Sequence, residues 1–222
     1  MSLKRRIIET ADGSKTIQIE DWDEQYHSRH GAVQEAYHVF IDHGLRRYNG
    51  RQISILEIGF GTGLNALITL MEAPPLHLDI DYTGVEAFPV AMEEVVQLEY
   101  CRALGRNDLE DRFQAMHTAP WGQRLKITEA FFLTKLQMDF MQVAQQDRFD
   151  LIYFDAFGAR VQPELWTEAL FSKMFRAMKT QGVLVTYAAK GSVRRAMQAV
   201  GFTVERLPGP PGKREMLRAT KP

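Results

Sequence analysis

Three short stretches of this 222-residue chain place residues where they could do chemistry. The first is Leu56-Glu57-Ile58-Gly59-Phe60-Gly61-Thr62-Gly63-Leu64-Asn65, in which an apolar run breaks into three alternating glycines. Glycines at that spacing let backbone N–H groups approach a ligand that side chains would block, and the start of a helix just beyond favours a nucleotide. A dinucleotide fingerprint would need glycine where Leu64 stands, and a phosphate loop would need Gly-Lys-Ser/Thr; neither is present. The second stretch, Thr83-Gly84-Val85-Glu86-Ala87, delivers a carboxylate 23 residues beyond Gly63, about where an acid binds ribose hydroxyls in nucleotide folds. In the third, the apolar run from Phe149 to Phe154 delivers Asp155. A carboxylate there faces the edge at which open α/β sheets bind ligands, or else serves as a helix cap or structural ion pair, because burying it alone is costly.

These residues need a parallel sheet to bring them together, and the rest of the chain reads as one. Strand and helix patterns alternate: strands at Ile53–Ile58, Ile80–Val85, Asp150–Phe154, Val183–Tyr187, Phe202–Leu207 and Glu215–Ala219, with helices at Leu64–Met71, Val90–Leu104, Pro163–Met178 and Ser192–Val200. In the less legible middle, from Arg106 to Met141, strand character at Leu125–Thr128 is followed by an expected helix. Upstream, two period-two stretches around Ala11-Asp12-Gly13-Ser14 predict a β-hairpin, and Val33, Ala36, Tyr37, Phe40 and Ile41 have helical spacing. The expected fold is therefore α/β and Rossmann-like, a mostly parallel sheet with helices on both faces. Residues 1–48 are expected to form a hairpin and helix extension and residues 49–222 the ligand-binding domain.

Composition narrows the function classes. Hydrophobic content of 45% and charged content of 25% are globular averages, and no apolar run approaches the ~20 residues needed to span a bilayer, so a soluble cytoplasmic protein without a membrane partner is expected. A lone cysteine, Cys101, excludes an internal disulfide and a thiolate cluster and reads as packing. His27, His30, His38 and His43 form no recognisable ligand set, so no metal is expected. The net charge of −1 hides an asymmetry: Lys173–Pro222 carries eleven Lys or Arg against two acids, a surplus of nine that leaves −10 on the first 172 residues. A basic end on an acidic body suits an RNA-binding enzyme, although such residues also occur simply as solvated helix faces.

The glycine stretch, an acid followed by alternating glycines, resembles the first motif of S-adenosylmethionine-dependent methyltransferases. The resemblance becomes close across Ile58–Asn65, Val85-Glu86-Ala87-Phe88-Pro89, Phe154-Asp155-Ala156-Phe157 with Pro163-Glu164-Leu165-Trp166, Gly191-Ser192-Val193-Arg194-Arg195 and Gly212–Leu217, all of which look like the methyltransferase domain of the MnmC family, whose standalone form is called MnmD. It runs from about Tyr26 to Leu217. That family methylates the aminomethyl group of 5-aminomethyl-(2-thio)uridine at the tRNA wobble position. The resemblance implies S-adenosylmethionine as cofactor and tRNA as partner. It places Glu57, Gly59, Phe60 and Gly61, with Gly63 and Asn65, around the cofactor, Glu86 on its ribose, and Asp155 beside the sulfonium and the target amine as the catalytic residue. Bifunctional members add a flavin oxidoreductase domain, for which 222 residues leave no room, so no FAD is expected. Where the family often has Gly-Asp against adenine, this chain reads Glu129-Ala130-Phe131-Phe132-Leu133-Thr134, a departure at the adenine contact.

On the substrate side, Phe157 and Trp166 could stack on a splayed uracil or simply pack in the core. Lys190, Arg194, Arg195, Lys213 and Arg214 are candidates for phosphate contacts. In Tyr26–Gly31, and at Glu35 and Tyr37 or His38, the family has a matching stretch that implies substrate contact. The competing functions are a methyltransferase of small molecules or proteins, an aminopropyltransferase of the same fold, and a non-catalytic tRNA-binding module. The basic tail argues against the first two; a module would not need the glycine loop with Glu86 and Asp155.

Overall fold

The computed structural model describes residues 4–222. Its first strands, β1 (Arg5–Glu9), β2 (Lys15–Ile19) and β3 (Glu24–Gln25), form a small antiparallel sheet, with Asp12-Gly13 in the expected turn. Helix α1 (Ala32–Ala36) continues as a π-helical turn over Tyr37–Asp42. The main sheet then begins with β4 (Gln52–Ile58), α2 (Leu64–Glu72) and β5 (Asp79–Glu86). After α3 (Met92–Leu98), α4 (Tyr100–Ala103) and α5 (Glu110–Thr118) come β6 (Arg124–Thr128), β7 (Phe131–Gln137) and β8 (Phe149–Phe154). The chain closes with α6 (Glu168–Ala177), β9 (Met178–Thr186), α7 (Gly191–Ala199), β10 (Thr203–Pro208) and β11 (Glu215–Thr220).

Eight strands lie in the order β10-β11-β9-β8-β4-β5-β7-β6. Those from β9 to β7 are parallel, β6 runs antiparallel to β7, and β11 is inserted antiparallel between β9 and β10. Strand β4 is apolar on both faces because helices cover both sides of the sheet. Ile53 and Ile55 join the cluster with α1, α2 and α5, and Leu56 and Ile58 join the cluster with α6 and α7. The crossover from β4 goes to β5 on one side, while β8 returns to pair with β4 on the other. That reversal opens a crevice at the carboxyl ends of β4 and β8, the place where such sheets bind ligands.

The expected helix after Thr128 is instead strand β7. Its burial alternates, with Phe131, Leu133 and Lys135 inward, and Lys135, a residue that normally marks a solvent face, disguises the period of two. Helix α5 was not legible because it buries only Phe113 and Met116. The single helix expected over Val90–Leu104 breaks at Glu99, which adopts a left-handed conformation, and the one over Pro163–Met178 is a 3-10 turn at Pro163–Trp166 followed by α6.

Candidate active site

At the carboxyl end of β4 the chain must turn sharply under the neighbouring strand. Gly59 adopts φ +89°, and a Cβ there would lie 2.6 Å from the Asp155 carbonyl oxygen, so only glycine fits. The Asp155 N–H donates to the Ile58 carbonyl at 2.9 Å, which locks the end of β8 to the glycine turn. One strand further out, Glu86 closes β5. Its carboxylate accepts the Gly61 N–H at 2.9 Å and the Phe88 N–H at 2.9 Å. A carboxylate has about four acceptor positions, so two remain for a diol.

Asp155 is partly buried in the crevice, and its Oδ2 accepts from Asn65 Nδ2 at 2.9 Å. The same amide group donates to Glu57 Oε1 at 2.9 Å, and the Tyr82 hydroxyl donates to Glu57 Oε2 at 2.8 Å. Burial raises the Glu57 pKa well above the ordinary carboxylate range, and that of Asp155 to about 7, with the charge of Glu35 adding to the latter effect and Asn65 and Lys213 opposing it. A carboxyl group poised near neutrality can hold or release a proton at the reacting centre.

Gly59, Gly61, Glu86 and Asp155 open into a cavity of about 1350 Å³, larger than the 300–1,000 Å³ usual for one small ligand. Gly59, Gly61, Glu86, Phe88, Asp139, Phe140 and Met141 line it, together with Trp22, Tyr26, Phe157, Tyr187, Glu35 and Lys213, and the Tyr26 ring packs against Gly61. Phe157 stands edge-on to Trp22 and Tyr26, with ring centroids 5.6 and 4.9 Å apart. There is thus room for a nucleotide-like cofactor and an acceptor side by side.

Comparison with known proteins decides the family. The model of an S-adenosyl-L-methionine-dependent methyltransferase family matches residues 107–222. The chain belongs to that methyltransferase family. It is 34% identical to the tRNA 5-methylaminomethyl-2-thiouridine biosynthesis bifunctional protein MnmC of Pseudomonas paraeruginosa over 90% of this chain and 34% of the relative, and 34% identical to that of Aromatoleum aromaticum over 87% and 32%. It therefore spans about a third of the length of the curated relatives it matches. The crystal structure of MNMC2 from Aquifex aeolicus superposes on all of this chain and 72% of its own, with a TM-score of 0.73 and 26% identity. A spermidine synthase from Thermotoga maritima, with a TM-score of 0.59 and 13% identity, shares the fold alone.

Set against this methyltransferase framework, the residues singled out in the sequence separate into two groups. Gly59, Gly61, Glu86, Asp155, Phe157 and Lys213 line the cavity. Glu57, Phe60, Gly63 and Asn65 do not: Glu57 and Asn65 are buried behind Asp155, Phe60 packs against Gly84 and His117, and Gly63 starts α2 against the His117 ring. They shape the loop and hold its neighbours from behind the cavity wall. Trp166 is also a core residue, packed against Phe154 and Phe171, while its indole N–H donates to the Phe157 carbonyl at 2.8 Å. Lys213, expected at a phosphate, instead faces into the cavity, whereas Lys190, Arg195 and Arg214 are exposed and Arg194 is half-buried. Tyr37 and His38 turn away, to Glu72 and the Pro208 carbonyl.

The methyltransferase cavity also has walls that the sequence did not single out. Asp139, Phe140 and Met141 follow β7, and with β7 misread as helix the position after the third core strand was sought ten residues too early, at Glu129. Tyr187 directly follows β9 at the same sheet edge as Asp155 and could have been found by the same rule. Among the described residues no three His, Cys, Asp or Glu side chains converge to hold a metal ion, and no helix is long and apolar enough to cross a membrane.

Proposed function

We propose that this chain transfers the methyl group of S-adenosylmethionine to the primary amine of 5-aminomethyl-(2-thio)uridine at the wobble position of tRNA, giving the 5-methylaminomethyl nucleoside. The observation that carries this is the match of 90% of the chain to MnmC proteins whose name specifies that nucleoside, together with a cavity of more than one small ligand's size that has an acidic group poised near neutrality in its wall. In this reading the first 48 residues supply the acceptor wall and residues 49–222 the transfer domain, which works in the cytoplasm, where tRNA is modified.

The residues at the cofactor end fit S-adenosylmethionine. Gly59 and Gly61 leave backbone space for the methionine part, the two remaining acceptor positions of Glu86 suit the ribose diol, and Phe88, Phe140 and Met141 offer apolar surface and Asp139 a carboxylate to adenine. When bound, the cofactor supplies a methyl group made electrophilic by its sulfonium. Asp155, held by Asn65, orients the acceptor amine and takes the proton it sheds, directly or through water, while its negative charge favours the neighbouring cation. Phe157 and Tyr26 offer faces to the uracil, and Trp166 fixes Phe157 through its carbonyl. Lys190, Arg194, Arg195 and Arg214 then contact phosphates.

The test is transfer of labelled methyl from S-adenosylmethionine to tRNA bearing the aminomethyl group. Label should enter that tRNA and not the same tRNA lacking the group; equal labelling of both, or of neither, would overturn the proposal.

A further inference from the structure

Resting on the amine acceptor proposed above, we infer that Lys213 and Glu35 form a charge pair, built into the acceptor end of the cavity, that keeps the bound amine in its neutral, nucleophilic form. Lys213 belongs to the loop between β10 and β11, and Glu35 to α1, so the pair joins opposite ends of the chain across the site. Its geometry is fixed from several sides. The Lys213 ammonium bonds the Glu35 carboxylate and stands 3.8 Å from the centre of the Tyr187 ring. The Glu35 side chain is only 8% exposed and also accepts the Ser28 N–H at 3.0 Å. The Tyr187 hydroxyl donates to the carbonyl of Ala156 at 2.8 Å, so the platform under the ammonium is tied to the residue after Asp155.

An ordinary phosphate-binding lysine lies on the surface and pairs with nothing. This one is sheltered, paired and aimed into the space it shares with Asp155. Its charge opposes that of Asp155, and Glu35 reinforces Asp155, so all three act on one another across the cavity. The other charged or titratable groups around the pair are His27, which burial and Lys213 drive down to about 4, His30 against Gly212, and Glu24, paired with Arg160.

The chemistry explains why a cation belongs there. An alkylamine is protonated near neutral pH, with a pKa of about 10 for a lysine-like group, and an ammonium has no lone pair to give. In the transfer the nitrogen lone pair forms the new N–C bond while the S–C bond breaks and its electrons stay on sulfur as a thioether; the proton then leaves nitrogen for Asp155 or water. A fixed positive charge close by disfavours the ammonium form of the acceptor, and Glu35 limits that effect so that the amine is still admitted. Lys213 and Glu35 are thus positioning residues that act on the acceptor through charge.

The kcat against pH profile on aminomethyl-bearing tRNA tests this, since kcat reports groups in the bound complex. For Lys213→Met the acidic limb should move up by about one pH unit, a loss of about tenfold below it and much less on the alkaline side. Lys213→Arg should restore the position of the limb, and Glu35→Gln should move it the other way. A Lys213→Met enzyme slowed equally at every pH, or Glu35→Gln and Lys213→Met shifting in the same direction, would overturn the pair. If Lys213→Met does not fold, a downward shift of the limb in Glu35→Gln against an unmoved limb in Lys213→Arg is the result expected, and an unmoved limb in Glu35→Gln would overturn the pair. A wild type that fails to methylate this tRNA at any pH would overturn the acceptor assignment instead, so the two failures are distinct.

Discussion

Asp155 is a carboxyl group whose proton the surrounding protein holds until about pH 7, chiefly because burial disfavours its charge. Replacing it with asparagine should lower turnover by about 10²–10⁴-fold, the range of a lost general base, while the dissociation constant for S-adenosylmethionine changes little; equal turnover would remove it from catalysis. The same weakened acidity has a consequence for stability. The unfolded chain releases this proton near pH 4, so between pH 4 and pH 7 the folded state binds more proton, and stability falls as pH rises through that window. In urea unfolding of the ligand-free protein, wild type should lose on the order of 3 kcal/mol across the window that Asp155→Asn retains. Gly59→Ala puts a methyl group 2.6 Å from the Asp155 carbonyl at φ +89°, and should cost stability and cofactor affinity together, by about 1–3 kcal/mol for the strain alone. That Gly59, Gly61, Glu86 and Asp155 face one cavity was legible because each stands at or just beyond the carboxyl end of a central strand, where open α/β sheets form their crevice. Glu57 and Asn65 lie behind the cavity wall, where Tyr82 donates to Glu57 and the Asn65 amide donates to both Glu57 and Asp155, contacts that a polar residue beside a glycine loop does not announce in sequence.

At the scale of elements, the apolar strands of the sheet centre declared themselves, whereas β7 did not. A buried lysine in a strand interior breaks the alternation by which a strand is recognised; here Lys135 donates to the His117 carbonyl and lies 4.6 Å from the centre of the Trp121 ring, with burial lowering its pKa to about 8. Taking β7 for helix puts the position after the third core strand at Glu129, ahead of β7, instead of at Asp139 beyond it. The turn carrying Trp166 is a second case, because an aromatic at a site's edge reads equally as a stacking surface or as core. The structure makes it core, so Trp166→Ala should destabilise the protein by about 3–5 kcal/mol in denaturant unfolding. Trp166→Phe keeps most of the packing, loses the bond to the Phe157 carbonyl, and should cost about 1 kcal/mol with a raised KM for tRNA. A Trp166→Ala protein of unchanged stability would contradict the placement.

For the molecule as a whole, the basic carboxyl-terminal quarter offers fewer free cations than its charge count suggests. Lys179, Arg206, Lys213, Arg218 and Lys221 are paired with Asp150, Glu215, Glu35, Glu205 and Asp147. Among the described residues Lys190, Arg194 and Arg195 have no acidic partner and gather at the start of α7, with Arg214 on the neighbouring loop. Sequence counts charges, but only the fold shows which of them are already neutralised. Affinity for tRNA should fall steeply with salt, and Lys190→Ala, Arg194→Ala and Arg195→Ala should each reduce the slope of log K against log salt by about one, whereas Lys179→Ala should leave it unchanged. The central claim is that both halves of the cavity work on one reaction, and nucleoside analysis tests it most directly. After incubation with labelled S-adenosylmethionine and tRNA lacking only the final methyl group, digestion should place the label on the wobble uridine as its methylaminomethyl form. Label confined to other nucleosides, to protein or to small molecules would contradict it.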